Sequence, residues 1–471
     1  MIETIKVCPV CDGNLTGYEF QIGIRRIERC HECNTLFDRS FLAQDEARQF
    51  YEIPSKLTTV MHVNELEGNV NGCIEKLKDR GIQQGDRLWI SSNDHDQFVD
   101  CVEDSGLEVL NIDFESVRAN TIDACVLLQN LGKSKYPLEQ LLSVEKVLKP
   151  GGLLLATVPI LDCNDARRQK SRWGQFESGR LTYFDRHGLT ALLVRAGYSH
   201  IRLWLENEGV IAVCQKKTCK KVRPVLSIVL PVYNECSTIQ QLIELVLAKN
   251  FSSLDREIII VESNSTDGSR ELVQQYETQP GVKVIYEDKP RGKGYAVRNG
   301  LGHASGDIIL IQDADLEYDV EDYDALLAPI TSFRRLFVLG SRHKGHWKMR
   351  EFEDSNLLST IFNFGQSFFT WLINFTCGVQ LKDPFTMYKV FHRECLYGLE
   401  LESNRFDLDW EIVIKFIRKG LIPLEIAVNY TSRSFVDGKK VRPLVDPITW
   451  IIALVKFRYG RLYSNSHSER R

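Results

Sequence analysis

The chain lacks any excess of charge: 59 Lys and Arg stand against 63 Asp and Glu, a net of −4 over 471 residues. That balance excludes nucleic acid as a global partner, so an anionic ligand has to be met by a local patch. The opening MIETIKVCPVC lacks the apolar core of a secretory signal, which predicts a cytoplasmic chain. A clean membrane span is also missing. Residues 356–381 carry no charge over 26 positions, with Leu357, Ile361, Phe364, Phe368, Leu372 and Phe375 at helical spacing. Yet Asn356, Ser359, Asn363, Gln366, Thr370 and Asn374 form a second stripe, too polar to face lipid on all sides. The expectation is a helix lying at a membrane interface, with a core helix of a soluble domain as the alternative. Residues 447–457 are too short to span, and Lys456, Arg458, Arg461, Arg470 and Arg471 around and after them favour peripheral attachment to anionic lipid, at the inner face of the cell membrane.

What is present begins with cysteine. Four of the 13, Cys8, Cys11, Cys30 and Cys33, form CPVC and CHEC pairs separated by eighteen residues, and the other nine are scattered as reduced core thiols would be. Two such knuckles suit tetrahedral Zn²⁺, with a redox pair as the competing reading. Four thiolates leave no open position, so the expected zinc is structural. Residues 1–45 are therefore read as a zinc-binding knuckle. From 46 to 217, short apolar runs alternate with helical ones: strands at 87–91, 109–112, 124–128 and 153–158, and a helix at 138–148 stopped by Lys149-Pro150-Gly151-Gly152. This is a doubly wound, Rossmann-like α/β layout.

The segment KPGGLLLATVP, then Trp173, then GRLTYFDRHGLTALLVRAGY, resembles the C-terminal half of class I S-adenosylmethionine methyltransferases. Those enzymes place a glycine-rich turn after the first strand, where this chain reads LWISSNDHDQF without glycine. Ser91, Ser92 and Asn93 carry Cβ atoms where the backbone should approach the ligand, so the domain is expected to be degenerate and not to bind S-adenosylmethionine usefully. A bifunctional methyltransferase and glycosyltransferase remains an alternative.

Residues 218–225 form a basic, proline-ended linker. Beyond it, strands at 226–231, 257–261, 282–286 and 308–311 each end in polar residues, which is how open α/β sheets build a ligand crevice. The last runs into Gln312 with Asp313, Asp315 and Glu317 at alternate positions. If the strand persists, the three carboxylates share a face that suits a hard divalent cation, Mg²⁺ or Mn²⁺, bridging a diphosphate.

LPVYNE, VESNSTDGS, GKGYAVRNG and QDADLE, in that order, resemble the nucleotide-sugar half of inverting family 2 glycosyltransferases of GT-A fold, in particular dolichyl- or polyprenyl-phosphate mannose and glucose synthases. The resemblance runs from 226 to about 445 within a domain read as 226–471. It implies a GDP- or UDP-sugar donor met by Pro231, Tyr233, Glu235, Glu262, Ser263, Lys293 and Asp313, and a metal held by Asp313, Asp315 and Glu317. Glu317 stands where Gln is common, and Met387 in KDPFTMYK where glycine is usual. The expected fold class is thus α/β throughout: a zinc knuckle, a Rossmann-like methyltransferase-type domain and a GT-A domain.

The acceptor decides the remaining chemistry. A sugar hydroxyl must lose a proton, which would fall to Asp383, Asp409 or Glu411. A polyprenyl phosphate is already largely anionic near neutral pH, with a second pKa of about 6, and needs cations instead. Arg342, Arg433, Lys439, Lys440 and Arg442 supply them. The reading preferred is hexose transfer to a polyprenyl-phosphate-like lipid, with a saccharide hydroxyl in cell-surface polysaccharide synthesis as the alternative.

Overall fold

The computed structural model describes residues 7–22, 25–39, 72–91, 95–110, 114–177, 180–206, 209–219, 221–342, 356–431 and 446–463. The chain divides into two compact units, residues 1–220 and 221–471.

In the first unit, β1 (Thr16–Ile22), β2 (Arg25–Cys30) and β3 (Leu36–Asp38) form an antiparallel meander around the cysteines. The doubly wound part supplies β4 (Arg87–Ser91), β5 (Glu108–Val109), β6 (Ile122–Leu128), β7 (Leu148–Pro159), β8 (Thr182–Tyr183), β9 (Tyr198–Leu205) and β10 (Gly209–Lys216). Six of these make a sheet of order β5-β4-β6-β7-β10-β9, parallel from β5 to β7 and antiparallel where β10 joins β7 and β9. The seventh, β8, pairs with β3, so the cysteine meander becomes a four-stranded sheet of order β1-β2-β3-β8.

Polar anchors close that junction: Arg25 Nε meets Asp38 Oδ2 at 2.6 Å and its Nη1 donates to Phe176 O at 2.6 Å. Asn34 Nδ2 donates to Asp185 Oδ2 at 2.7 Å and Arg195 Nη1 to Val10 O at 2.7 Å. The knuckle, expected as a domain of its own, is thereby built into the same unit as the sheet that follows it.

One strand starts earlier than expected. Lys149–Gly152 does not merely stop the preceding helix (Pro137–Val147); it lies inside β7 as a bulge, because Ile122 pairs with Leu148 and Ala124 already with Leu153. Gly151 takes a positive φ of 80° there.

The second unit is a seven-stranded sheet built from β11 (Val225–Val232), β12 (Asp255–Glu262), β13 (Val282–Tyr286), β14 (Ile308–Ile311), β15 (Phe337–Ser341), β16 (Lys389–His392) and β17 (Leu424–Ala427). Its order is β13-β12-β11-β14-β16-β15-β17, with the first four parallel and β16 antiparallel to both neighbours. The four residues of β14 are all buried, as their unbroken apolar run requires. The chain winds outward from β11 to β13 and returns to β14 on the other side of β11. The reversal leaves a crevice at the carboxyl ends of β11 and β14.

The N-cap of the Ile239–Ala248 helix is Thr238. Its Oγ1 donates to Ala314 O at 2.7 Å and so ties the loop after β11 to the turn after β14.

The uncharged stretch forms a helix, Asn356–Cys377, that stops before 381 at Gly378 with φ 67°. Asn374 holds the exit, its side chain bonding both N and O of Leu381 at 2.8 Å. The helix packs with Asp446–Tyr459 and Trp410 through Phe369, Ile373, Ala453, Leu454 and Phe457. Among the described residues, no helix is long and apolar enough to cross a membrane.

Candidate active site

The loops after β11 and β12 are stitched together. Asn234, at φ 51°, donates its backbone N–H to Ser265 Oγ (3.0 Å) and accepts Thr266 N at its Oδ1 (2.9 Å). Glu235 N donates to Ser269 Oγ at 2.8 Å. This leaves Tyr233 37% exposed at the mouth of the crevice with Glu235 beside it, while Pro231 lies within β11 opposite Val261.

Glu262 is placed differently from expectation. It is fully buried, and its carboxylate accepts from Ser265 N at 2.6 Å and Asn264 N at 3.2 Å and pairs with Arg270 at 3.2 Å. Its oxygens shape their own loop. Ser263 likewise turns inward, donating to Glu287 Oε2 at 2.8 Å, and Asn299 Nδ2 reaches Glu287 Oε1 at 3.2 Å. Glu287 and Arg270 lie outside the quoted motifs, and Asn299, although within GKGYAVRNG, is not singled out there.

After Ile311 the strand does not persist. Residues 314–316 turn, Leu316 at φ 58°, so the three carboxylates do not line one strand face. Among the described residues, the cysteines alone form a group of three or more potential ligand atoms within 4.8 Å of one another. Asp313 is nearly buried and Asp315 and Glu317 are partly exposed. Asp315 Oδ1 accepts Glu317 N at 3.2 Å, and Glu317 Oε2 accepts Tyr430 OH at 2.9 Å.

A cation already stands at this place: Lys293 Nζ lies 2.5 Å from Asp313 Oδ1. Lys293 opens the Lys293–His303 helix after Gly292, whose φ of 106° suits glycine. A Cβ on Gly294 would come 2.6 Å from Arg405 O, so the GKG pattern admits the 403–405 backbone against the helix start and fixes the lysine. Burial works against the charge of Lys293, but Asp313 and Asp409 outweigh it and hold its pKa above the ordinary lysine value. The Lys293 ammonium shows that a cation is held at Asp313, and carboxylate oxygens such as those of Asp313 and Asp315 are the ligand type a hard divalent cation takes.

Each of the three candidate bases is already ion-paired. Asp409 Oδ1 is 2.6 Å from Lys389 Nζ, and Lys389 is fully buried. Burial raises the pKa of Asp409 against the opposing pull of Lys389 and Lys293. Asp383, also fully buried, takes a fork from Arg342, Nε to Oδ2 at 2.8 Å and Nη2 to Oδ1 at 2.7 Å, with Gln366 Nε2 at 3.1 Å. Arg342 is thereby committed to a carboxylate rather than waiting for a phosphate; its guanidinium lies over the Tyr430 ring at 5.4 Å.

Glu411 is spent inside the fold. It is fully buried, pairs with Lys415 at 2.6 Å, and accepts Glu402 N at 2.9 Å and Ser403 N at 2.8 Å. Its geometry is that of a structural anchor for the 402–404 loop. Arg433, Lys439, Lys440 and Arg442 lie outside the described residues, as do Ser92 and Asn93 of the first unit.

The cysteine cluster meets its own fit test. Cys8 and Cys33 sulfurs are 3.5 Å apart and those of Cys11 and Cys30 are 3.6 Å, all buried. Zn–S bonds of about 2.3 Å arranged tetrahedrally place sulfurs about 3.8 Å apart.

Residues 227–396 match the family described as glycosyl transferase family 2. A human dolichyl-phosphate beta-glucosyltransferase is 28% identical over 46% of this chain and 70% of its own length. A Pyrococcus furiosus dolichol-phosphate mannosyltransferase is 26% identical over 46% of this chain and 60% of its own. Among solved structures, glucosyl-3-phosphoglycerate synthase from Mycobacterium tuberculosis, in complex with Mn²⁺, UDP-glucose and phosphoglyceric acid, aligns over 50% of this chain and 81% of that one. At 19% identity and a TM-score of 0.39, that likeness carries nothing about this chain's ligands.

Proposed function

We propose that the chain, whose residues 227–396 match glycosyl transferase family 2, is a metal-dependent, inverting hexosyltransferase that uses a nucleotide-diphosphate sugar and a polyprenyl-phosphate-like acceptor. The observation that carries the choice of acceptor is the pairing of Asp383, Asp409 and Glu411 with Arg342, Lys389 and Lys415. A sugar hydroxyl needs an available base, whereas a phosphate oxygen arrives without a proton to remove. The names of the relatives, both acting on dolichyl or dolichol phosphate, point the same way.

In this reading Tyr233 and Glu235 receive the nucleoside at the end of β11. Asp313, Asp315 and Glu317 would hold Mg²⁺ or Mn²⁺, which when bound would neutralise charge on the departing diphosphate. Lys293 is within reach of the same diphosphate. The acceptor oxygen forms the new bond to the anomeric carbon from the face opposite the diphosphate, and the electron pair of the old bond leaves on the diphosphate oxygen. Asp409 and Lys389 keep the floor of the site polar and immobile.

The acceptor reading implies a lipid surface, and the second unit has a face suited to one. Phe368, Trp371 and Phe375 on the Asn356–Cys377 helix are exposed, as are Ile451, Ile452, Val455 and Tyr459 on the Asp446–Tyr459 helix. The helices run in parallel, with Phe369 against Trp450 at 5.2 Å and Arg458 Nε on Thr376 O at 2.9 Å. Between 447 and 463 there is no acid, and Lys456, Arg458 and Arg461 flank the apolar residues. Aromatic rings and cations in that arrangement suit an anionic bilayer, the inner face of the cell membrane.

In the first unit the four thiols hold a structural zinc, and the methyltransferase-like sheet serves as a scaffold without methyl transfer. The deciding experiment incubates the full chain with UDP- and GDP-hexoses, with and without polyprenyl phosphate in vesicles. Hexose appearing in a lipid-extractable, acid-labile product only with the phosphate is expected. Transfer to a saccharide alone overturns the acceptor.

A further inference from the structure

Asp313 is the most enclosed carboxylate of the motif that follows β14, and the position beside it is taken by the Lys293 ammonium at 2.5 Å. Lys293 is held there from several sides. Its helix start is pinned by Tyr295 N on Asn404 O at 3.0 Å, its Nζ lies 5.8 Å from the centre of the Phe406 ring, and Asp409 is the next carboxylate to feel its charge. Asp409 already has a full-strength partner in Lys389 at 2.6 Å. A divalent cation arriving alone at Asp313 must displace an ammonium whose other nearby carboxylates are Asp409, already paired with Lys389, and Asp315, which the same cation would claim. A cation arriving with a diphosphate brings another anion with it, since a phosphate oxygen can take over the ammonium.

We propose that Lys293 is a resident counter-cation for Asp313, so that divalent metal and nucleoside diphosphate enter the site together and each strengthens the other. The proposal rests on the glycosyltransferase reading for the identity of the diphosphate, but the competition between Lys293 and the metal does not. It makes Lys293 a positioning residue whose main effect is on the order and coupling of binding. Reciprocity follows: whatever factor the nucleotide adds to metal affinity, the metal adds to nucleotide affinity.

Mn²⁺ binding to zinc-replete full-length protein, measured by calorimetry and by the loss of the free Mn²⁺ electron-spin signal, tests this without any turnover. Wild-type protein should bind Mn²⁺ alone weakly and at least about tenfold more tightly with saturating UDP or GDP, within the usual range of coupling of about 5- to 150-fold. Lys293→Met should bind Mn²⁺ alone about tenfold more tightly than wild type, and the nucleotide should then add little. Lys293→Gln, of similar length and uncharged, should repeat the gain, and Asp313→Asn added to either should abolish it. Thermal melts establish that the variants are folded. Mn²⁺ affinity unchanged in both folded Lys293 variants overturns the proposal. Failure of UDP and GDP to bind wild type with metal would instead strike at the donor reading, while the Mn²⁺-alone comparison still decides the role of Lys293.

Discussion

Both units place polar residues at the carboxyl ends of parallel strands, but they satisfy them in opposite ways. In the first unit Asn130, just beyond β6, donates to Ser91 O at 3.0 Å and Ser91 Oγ at 2.8 Å, closing the end of β4 against that of β6. Beside it Arg180 is buried among neutral oxygens, Nη1 to Gln129 O at 2.9 Å and Nη2 to Gln129 Oε1 at 2.8 Å, and burial pulls its pKa down to about 10. In the second unit the buried guanidinium of Arg342 is also penalised by burial, yet the fork to Asp383 more than restores it and raises its pKa. Among the described residues, the first unit meets its strand ends with amide and carbonyl bonds, while the second concentrates opposite charges that a charged ligand can redistribute. Parallel strand ends are thus closed by neutral hydrogen bonds in one unit and by ion pairs in the other.

The largest expected effect breaks the comparison on the scaffold side. Structural zinc contributes an apparent folding free energy of about 10–16 kcal/mol in zinc-finger peptides. If the four thiols hold zinc, its removal should release the sheet β1-β2-β3-β8 and with it the Arg25 and Arg195 anchors. Hydrogen exchange after chelation is expected to lose protection at residues 7–39 and 180–198 and to leave the second unit unchanged. Full protection in a verified metal-free sample would mean that the thiols hold nothing.

On the site side, Asp383→Asn leaves Arg342 buried without its carboxylate. Breaking a buried pair in this way costs about 3–5 kcal/mol. Urea unfolding of the second unit should show a loss of that order, and a loss under about 1 kcal/mol, the scale of an exposed pair, would place Asp383 in solvent contact after all.

These pairings mark the limit of what was legible in the chain. An unbroken apolar run bounded by glycine and a polar residue located β14, and two CxxC pairs located the cysteine cluster, because each signal is local and its physics is complete within a few residues. The family match over 227–396 covers the stretch where four short motifs follow one another. What a motif cannot carry is the residue that arrives from elsewhere. Asp409 meets Lys389, and Asp383 meets Arg342 41 positions away. Glu411 looked like Asp409 in sequence, two positions apart, but on a helix those positions face different ways, and Glu411 is spent on the 402–403 amides. The turn after β14 escaped for a related reason. Alternate carboxylates suggest a strand, while the tie from Thr238 to Ala314 O and the positive φ of Leu316 are tertiary facts.

The smallest expected effect sharpens the comparison from the scaffold side. Asn130→Ala removes two neutral hydrogen bonds and leaves a partly buried Ser91 carbonyl short of a donor, which costs about 1–2 kcal/mol. The loss should appear in the unfolding of the first unit alone, with hexose transfer unchanged, since no residue assigned to the donor or acceptor is touched. The substitution also reopens the switch point between β4 and β6, the place where a doubly wound sheet would receive a ligand. If the crevice is a scaffold, calorimetry with S-adenosylmethionine stays silent in the variant as in the wild type. Heat appearing only in Asn130→Ala would show a latent site held shut by one amide side chain, and the contrast between the two units would then be one of gating rather than of chemistry.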